Sequence, residues 1–193
     1  MYDTLTQILG IAQTMAQDLC FYRANERPYG AFSNLYRREF VFESDTYPTA
    51  EHAYQAGKAR KLAVKAWLMS APSPALLAMA AHGLYYWDVA PNWSTTKFDR
   101  MKRILRAKFG THEDLKELLL STGNRRLVET ATVDNAVNRL WGEVNGQGKN
   151  MLGLLLMEVR DELRAEVKAS KPKKRRASNA ETPRKQPAGA AAR

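Results

Sequence analysis

Apolar residues recur every three or four positions along most of the chain, and this period is typical of helices packed on a core. The first such stretch predicts an amphipathic helix over 3–19, with Asp3 as its N-cap. The same spacing, together with capping residues and glycine stops, predicts five further helices: 49–69 capped by Thr49, 73–83, 97–109 ended by Gly110, 113–121, and a last helix capped by Asn150.

Short aromatic and β-branched runs interrupt the helical pattern. Cys20–Tyr22 and Glu39–Phe42 are flanked by turn-forming residues and predict short strands of one small sheet, and 126–132 predicts another strand. The glycine- and asparagine-rich stretch 134–149 predicts a loop. Few strands among many helices indicate an α+β fold, a mainly helical single domain with a small β-sheet.

These patterns divide the 193 residues into three segments. Residues 1–20 hold the amphipathic helix, which we expect to pack on the domain, with a dimer or partner face as the alternative. Residues 21–168 hold the other predicted helices and strands, and we expect them to form the one folded domain. Residues 169–193 consist largely of Lys, Arg, Pro, Ala and Ser without apolar periodicity, so we expect a disordered basic tail.

Net charge is concentrated in that tail. Of the formal charge of +10, residues 171–193 carry +7 (eight Lys or Arg against one Glu), which leaves +3 for residues 1–170. A nucleic-acid-binding domain usually carries its basic patch on the folded part. We therefore expect at most a non-specific contact between the tail and nucleic acid, with a role in solubility as the alternative.

Composition also indicates a cellular compartment. Cys20 is the single cysteine, which excludes an internal disulfide and fits a reducing environment. No apolar run approaches the ~20 residues that a membrane span needs. Because no basic region precedes an apolar block at the N-terminus, no signal peptide is predicted. We expect a cytoplasmic protein without membrane contact.

Several familiar catalytic signatures fail. Residues 146–150 resemble a phosphate loop, but Glu143 stands where that motif needs glycine, and Asn150 replaces its Ser or Thr. The three histidines are not spaced as metal ligands, and one cysteine cannot complete a zinc site. We therefore expect neither a metal nor another cofactor.

The most informative segment is the start of the helix after Tyr47. Glu51, Gln55 and Lys58 are spaced i, i+4, i+7 and share one helix face. Lys58 leans back toward Glu51 across an axial gap of about 10 Å, so both side chains can converge on one ligand. Gly57 costs about 1 kcal/mol relative to Ala inside a helix, which suggests that another group approaches the backbone there.

With these residues the sequence resembles the NADAR (YbiA-like) family. The motifs occur in family order over roughly residues 21–165: Tyr29-Gly-Ala-Phe-Ser-Asn34, Tyr47-Pro-Thr-Ala-Glu-His52 with Gln55 and Lys58, Asn92-Trp93, Arg106-Ala-Lys-Phe109, Leu127-Val-Glu129, Trp141-Gly142 and Gly148-Lys-Asn-Met-Leu-Gly153. The resemblance implies an α+β fold and N-glycosidase activity on ribosyl compounds. It implies two substrate types, an early riboflavin-pathway intermediate or ADP-ribose attached to a guanine base.

The resemblance also implies catalytic residues. Glu51 matches the family's catalytic glutamate, and a carboxylate there would stabilise the positive charge that builds at ribosyl C1. Lys58 matches a lysine for which a Schiff-base route through the opened sugar has been proposed, which requires a lowered pKa. Asp134 matches a second acid or base, or a ribose-hydroxyl acceptor. The spacing from Asp134 to Trp141 is longer than the family's, so Asn135 or Asn138 is an alternative.

Further residues are predicted to bind the substrate. Trp93 matches a family tryptophan that would stack on the base. Phe32 is either a core residue or a second stacking wall. Cations and turn amides favour phosphate binding, and the predicted substrate contacts are completed by polar residues of the matched segments: Arg23, Ser33, Asn34, Gln55, Lys97, Lys149 and Asn150.

Two other functions fit parts of the sequence. A module that binds NAD or ADP-ribose without turnover would keep the pocket and lose a catalytic residue, whereas both Glu51 and Lys58 are present. A charge-driven nucleic-acid-binding protein would need a more basic domain than +3. Sequence alone does not choose between a free metabolite and an ADP-ribosylated base, and it leaves the oligomeric state open.

Overall fold

A computed structural model describes residues 18–170, and the fold within them is mainly helical with small sheets. The predicted helix over 3–19, apart from its end, and the predicted tail from 171 onward lie outside the described residues. The strands are β1 Leu19–Phe21, β2 Phe40–Phe42, β3 Asp45–Tyr47 and β4 Leu127–Glu129. The helices are α1 Ala50–Lys58, α2 Leu62–Met69, α3 Pro74–His82, α4 Trp93–Thr111, α5 Glu113–Ser121, α6 Ala136–Trp141 and α7 Met151–Ser170, with 3₁₀ turns at Tyr29–Phe32 and Tyr86–Asp88.

The strands form two separate pairs instead of the one predicted sheet. β1 runs parallel to β4, with Leu19 opposite Leu127, and β2 pairs antiparallel with β3. Leu19, which the sequence assigned to the first helix, is therefore a strand residue. The parallel pair joins the start of the described chain to a strand more than a hundred residues later, a contact that local patterns do not reveal.

The prediction of a helix over 49–69 was wrong in one respect, because the helix breaks after Lys58. The backbone of the next residues pairs with a distant segment: Ala90 N–H donates to the Lys58 carbonyl, and Arg60 N–H donates to the Asp88 carbonyl. These bonds replace helical ones, and α2 starts afresh at Leu62. The predicted N-cap is confirmed, since the Thr49 side chain accepts from His52 N–H.

The other predicted helix boundaries differ less from the observed ones. α3 and α5 match the predicted helices closely. α4 begins at Trp93, four residues before the prediction, and passes through Gly110 to Thr111. The predicted loop over 134–149 contains the short helix α6, which Asn135 caps by accepting from Asn138 N–H. No helix within residues 18–170 is long and apolar enough to cross a membrane.

The core lies where α4 packs between α1 and α7. Its fully buried side chains include Phe32, Ile104, Leu105, Phe109 and Leu156. A smaller apolar cluster around Leu68 and Leu77 holds α2 and α3 together. One side of α1 packs on this core, so the polar face of α1 has a fixed position relative to α4.

Gly57 lies on α1 where the side chain of Arg100, from α4, crosses the helix. Arg100 donates from Nε and Nη2 to the Ala53 carbonyl at 3.1 and 2.8 Å, and its Nη1 pairs with Glu43 at 2.8 Å. A Cβ at position 57 would collide with this guanidinium group. The glycine thus admits the arginine that links α1 to α4.

We predict that Gly57→Ala destabilises the protein although alanine favours helices. Overpacking against Arg100 costs about 1–3 kcal/mol, against about 1 kcal/mol gained in helix propensity. In an Arg100→Ala background, the same substitution should instead raise the free energy of unfolding, measured by urea denaturation.

The matched control is Gly83→Ala, because a Cβ there meets only the Ala80 carbonyl at an ordinary 3.5 Å. Its unfolding free energy should stay near that of the unmutated protein. If Gly57→Ala changed the free energy of unfolding by the same amount with Arg100 present and in the Arg100→Ala background, the contact between position 57 and Arg100 would not have the role proposed for it.

Candidate active site

A cavity of 690 Å³ opens beside α1, bounded by the start of α4, by α6 and by the end of β4. Residues predicted to act on or bind the substrate line it from four separate parts of the chain: Arg23, Ser33, Asn34, Glu51, Gln55, Lys58, Trp93 and Lys97. The polar face of α1 is therefore directed into a cavity and away from bulk solvent.

Glu51 is buried in the first turn of α1. Its carboxylate accepts a hydrogen bond from Gln55 Nε2 at 2.6 Å, and its backbone N–H donates to the Asn34 carbonyl at 3.0 Å. Burial raises the pKa of Glu51, while the Gln55 hydrogen bond and the Lys58 charge act in the opposite direction. The carboxylate is thus desolvated and rigidly held.

Lys58 lies at the other end of α1. Its Nζ donates to the Ala81 carbonyl at 2.5 Å, so α3 fixes the position of the amine. Burial lowers the pKa of Lys58, the Glu51 carboxylate raises it, and the nearby Lys97 lowers it. The net shift is downward, which increases the fraction of neutral amine available as a nucleophile.

Glu129, to which the sequence analysis gave no role, supplies a second carboxyl group. It ends β4 and lines the same cavity. Burial, followed by the charge of Glu51, raises the pKa of Glu129 to about 7. Side chains two apart on a strand share a face, so a glutamate in register with the buried Leu127 is the signal that could have revealed it.

The backbone of Glu129 is held on both sides. Asn150 has φ 48°, and its side chain pairs with β4: Nδ2 donates to the Leu127 carbonyl at 2.8 Å, and Oδ1 accepts from Glu129 N–H at 3.1 Å. Glu143 N–H donates to the Glu129 carbonyl at 2.8 Å. A Cβ at Gly142 would strike that carbonyl, which accounts for the glycine after Trp141.

Aromatic rings form one wall of the cavity. Trp93 and Tyr54 have ring centroids 4.9 Å apart, and Trp141 meets Tyr54 edge-on at 5.5 Å. All three residues line the cavity. Trp93 was predicted as a stacking residue, whereas Trp141 belonged to a matched motif without a predicted role. The wall offers flat apolar surface to a planar ring.

Two buried oxygens in the cavity lining lack a hydrogen-bond donor among the described residues, Asn34 Oδ1 and Gln55 Oε1. Flipping the Gln55 amide would place an oxygen against the Glu51 carboxylate, so its orientation is well determined. Buried acceptors are usually satisfied. A ligand that carries hydroxyl or N–H groups would satisfy both.

The Ser33–Asn34 turn, whose Asn34 carbonyl accepts from Glu51 N–H at the start of α1, is anchored by a buried lysine. Lys108 donates from Nζ to the Ala31 and Ser33 carbonyls at 2.7 and 3.2 Å. Burial lowers the pKa of Lys108 to about 7. The turn that presents Ser33 and Asn34 is thereby fixed relative to α4.

Four predicted site residues do not line the cavity. Phe32 is fully buried in the core and stacks on Tyr29. Of its two predicted roles, core residue or stacking wall, the structure therefore favours the core residue. Lys149 is exposed. Asn150 is buried, and its side chain bonds the backbone of β4 instead of capping α7. Asp134 is exposed and forms an ion pair with Arg139 at 2.5 Å.

The longer spacing before Trp141 explains the position of Asp134. The extra residues fold into α6, with Asn135 as its cap. Arg139 holds the pKa of Asp134 below its usual value through a hydrogen bond. Of the two alternatives, Asn138 lines the cavity.

We predict that Asp134→Asn keeps kcat within about threefold of the unmutated enzyme, because general acid–base catalysis contributes about 10²–10⁴ and this carboxylate is outside the cavity. Steady-state hydrolysis of a ribosyl substrate measures the effect. A loss of two or more orders of magnitude, with an unchanged circular dichroism spectrum, would restore Asp134 to the catalytic group.

Proteins named as N-glycosidases are similar to this chain. N-glycosidase YbiA of Shigella flexneri serotype 5b (strain 8401) is 34% identical over 157 residues, covering 81% of this chain and 95% of that protein. N-glycosidase Npun_R5314 of Nostoc punctiforme is 34% identical over 142 residues, covering 72% and 88%. The chloroplastic riboflavin biosynthesis protein PYRR of Zea mays is 34% identical over 157 residues, covering 74% of this chain and 25% of that protein.

Fold and family comparisons agree. The NMR structure of the E. coli protein YbiA is similar, with a TM-score of 0.69 and 33% identity, covering 83% of this chain and 93% of that one. The family model of the NADAR domain matches residues 20–164, which include every residue that lines the cavity. The chain belongs to the NADAR domain family.

Proposed function

We propose that this protein is an N-glycosidase that hydrolyses the ribosyl C1–N bond of a phosphorylated ribosyl compound, either ADP-ribose on a guanine base or a riboflavin-pathway intermediate. The observation that carries the proposal is the pair Glu51 and Glu129 in one cavity beside an aromatic wall. N-glycosidases and riboflavin biosynthesis proteins among the relatives support it. The protein is a hydrolase acting on N-glycosyl bonds.

The two carboxyl groups divide the work. Burial raises the pKa of Glu51, but Gln55 donates to its carboxylate and Lys58 is a nearby cation, so we assign the negative charge to Glu51. Burial and the charge of Glu51 both raise the pKa of Glu129, which favours its protonated form. As the C1–N bond breaks, its electrons go to the nitrogen and Glu129 donates a proton there, while Glu51 stabilises the oxocarbenium-like C1. Water then adds to C1, and its proton returns to the Glu129 carboxylate.

Lys58 offers a covalent route through the opened sugar. Ring opening of the N-ribosyl compound leaves C1 doubly bonded to the base nitrogen. The neutral amine of Lys58 can add to C1 and pass a proton to that nitrogen, so that the base leaves as an amine and an imine forms between C1 and Lys58. Addition of water to this imine returns the lysine amine and frees the ribosyl product as its aldehyde. The lowered pKa of Lys58 and its fixed position against Ala81 support this role.

Substrate recognition follows from the remaining walls. Trp93 and Trp141 would hold the leaving base by stacking. The unpaired oxygens of Asn34 and Gln55 would accept from ribose hydroxyls. Lys97, Arg23 and the amides of the Ser33–Asn34 turn would bind phosphate. We also propose a cytoplasmic location, which the single cysteine favours.

We predict that Glu51→Gln lowers kcat by at least about 10²-fold while ligand affinity stays near that of the unmutated enzyme, because the amide keeps size but loses the charge that stabilises the transition state. Mass spectrometry of reactions with a riboflavin intermediate, NAD, ADP-ribose and ADP-ribosylated guanosine measures turnover and identifies the substrate. Binding of these compounds without hydrolysis by the unmutated protein would instead favour a non-catalytic binding module.

We predict that borohydride added during turnover attaches a ribosyl-derived mass at Lys58, because reduction traps an imine. Lys58→Arg is the control, since it keeps the positive charge and cannot form that imine. Failure to trap, together with activity in Lys58→Ala, would contradict the covalent route.

A further inference from the structure

Most of the large exposed apolar side chains among residues 18–170 fall in one stretch of the chain. Seven of the eleven are on α2, on α3 or in the turn that follows α3: Leu62, Trp67, Leu76, Met79, Tyr85, Tyr86 and Trp87. Exposed apolar groups that concentrate in this way mark interaction sites more often than chance. The catalytic proposal uses none of these seven residues.

Three of these residues form an aromatic stack, which we call the aromatic face. Tyr85 and Trp87 are parallel, with centroids 4.6 Å apart and an interplanar angle of 12°, and Tyr86 meets Trp87 nearly edge-on at 4.9 Å. Tyr85 is 65% exposed and Tyr86 83% exposed. An open ring at the end of a parallel stack can accept another flat ring, such as a nucleobase.

One exposed cation lies beside the aromatic face. Arg60 N–H donates to the Asp88 carbonyl at 2.8 Å, and the Arg60 side chain forms no ion pair among the described residues. Lys61 forms an ion pair with Asp88 at 2.9 Å, whereas Arg60 beside it is exposed. An exposed cation beside open aromatic rings suits a polyanion whose bases are available for stacking. The bases of a duplex are already stacked, so a single strand fits better.

The aromatic face begins at the edge of the cavity. His82 lines the cavity and precedes Tyr85 by three residues, which span about 11 Å at most. The following segment is tied to the end of α1, because Ala90 N–H donates to the Lys58 carbonyl at 2.8 Å. A strand lying on the aromatic face would therefore pass close to the cavity.

We infer that Tyr85, Tyr86 and Trp87, together with Arg60, bind single-stranded nucleic acid beside the cavity. This inference deepens the proposed function and rests on it in one respect: the strand would present an ADP-ribosylated base to the cavity. The binding itself requires no modified base. The same nucleic acid can contact the basic tail, but only the aromatic face contributes stacking.

The test is the affinity of the full-length protein for a labelled oligothymidylate of about 15 nucleotides, measured by fluorescence anisotropy across a salt series. Tyr85→Ala combined with Tyr86→Ala should weaken binding about tenfold or more, and most clearly at about 0.2 M salt, where contacts that depend on charge alone are weak. The matched variant, Tyr85→Phe with Tyr86→Phe, keeps the rings and should bind within about twofold of the unmutated protein. Arg60→Gln should reduce the salt slope by about 0.7.

Two further measurements distinguish a nucleic-acid-binding face from a part of the catalytic site and from a surface for self-association. Hydrolysis of a small ribosyl substrate should be unchanged in the double alanine variant, because neither tyrosine lines the cavity. If no hydrolysis occurs in any variant, the proposed function fails while the binding result still stands. Equal affinity of the alanine and unmutated proteins at every salt concentration would overturn the inference. So would loss of self-association in the alanine variant with unchanged oligonucleotide affinity.

Discussion

Two carboxyl groups share one desolvated cavity, and most of the surrounding structure serves to hold them there. Burial disfavours the charged form of both Glu51 and Glu129, and the charge of Glu51 raises the pKa of Glu129 further. The two carboxyl groups differ in their neighbours. Gln55 and Lys58 favour a charged Glu51, whereas burial and the charge of Glu51 raise the pKa of Glu129 to about 7. The proposed mechanism therefore assigns the negative charge to Glu51 and the proton to Glu129.

The frame that maintains this pair comes from contacts remote in sequence. Arg100 links α4 to the Ala53 carbonyl on α1 and occupies the space left by Gly57. Asn150 completes the hydrogen bonding of β4, whose other edge pairs with β1. Lys108 fixes the Ser33–Asn34 turn, which contacts the start of α1. Each carboxyl group is therefore carried by an element that packing and backbone hydrogen bonds position independently of any ligand.

Sequence predicted the parts of this site that depend on local spacing. The face of α1 with Glu51, Gln55 and Lys58 follows from helical periodicity, and the cost of Gly57 indicated a close neighbour, which is Arg100. The register of Glu129 with Leu127 indicated a buried strand face, but the partner strand β1 is more than a hundred residues away, and no local pattern encodes that pairing. Asp134 was assigned by motif order, but the extra residues before Trp141 fold into α6 and carry it outside the cavity. Asn150 lies in a matched motif, yet it acts on a strand.

The pH dependence of kcat/KM tests the division between the two carboxyl groups most directly. Glu129 must be protonated to act as the acid, so activity should fall as the pH rises through about 7. Glu129→Gln cannot donate this proton. It should lose about 10²–10⁴ in rate at neutral pH, and its alkaline limb near pH 7 should disappear. A Glu129→Gln enzyme with the same rate and the same limb as the unmutated enzyme would contradict the account.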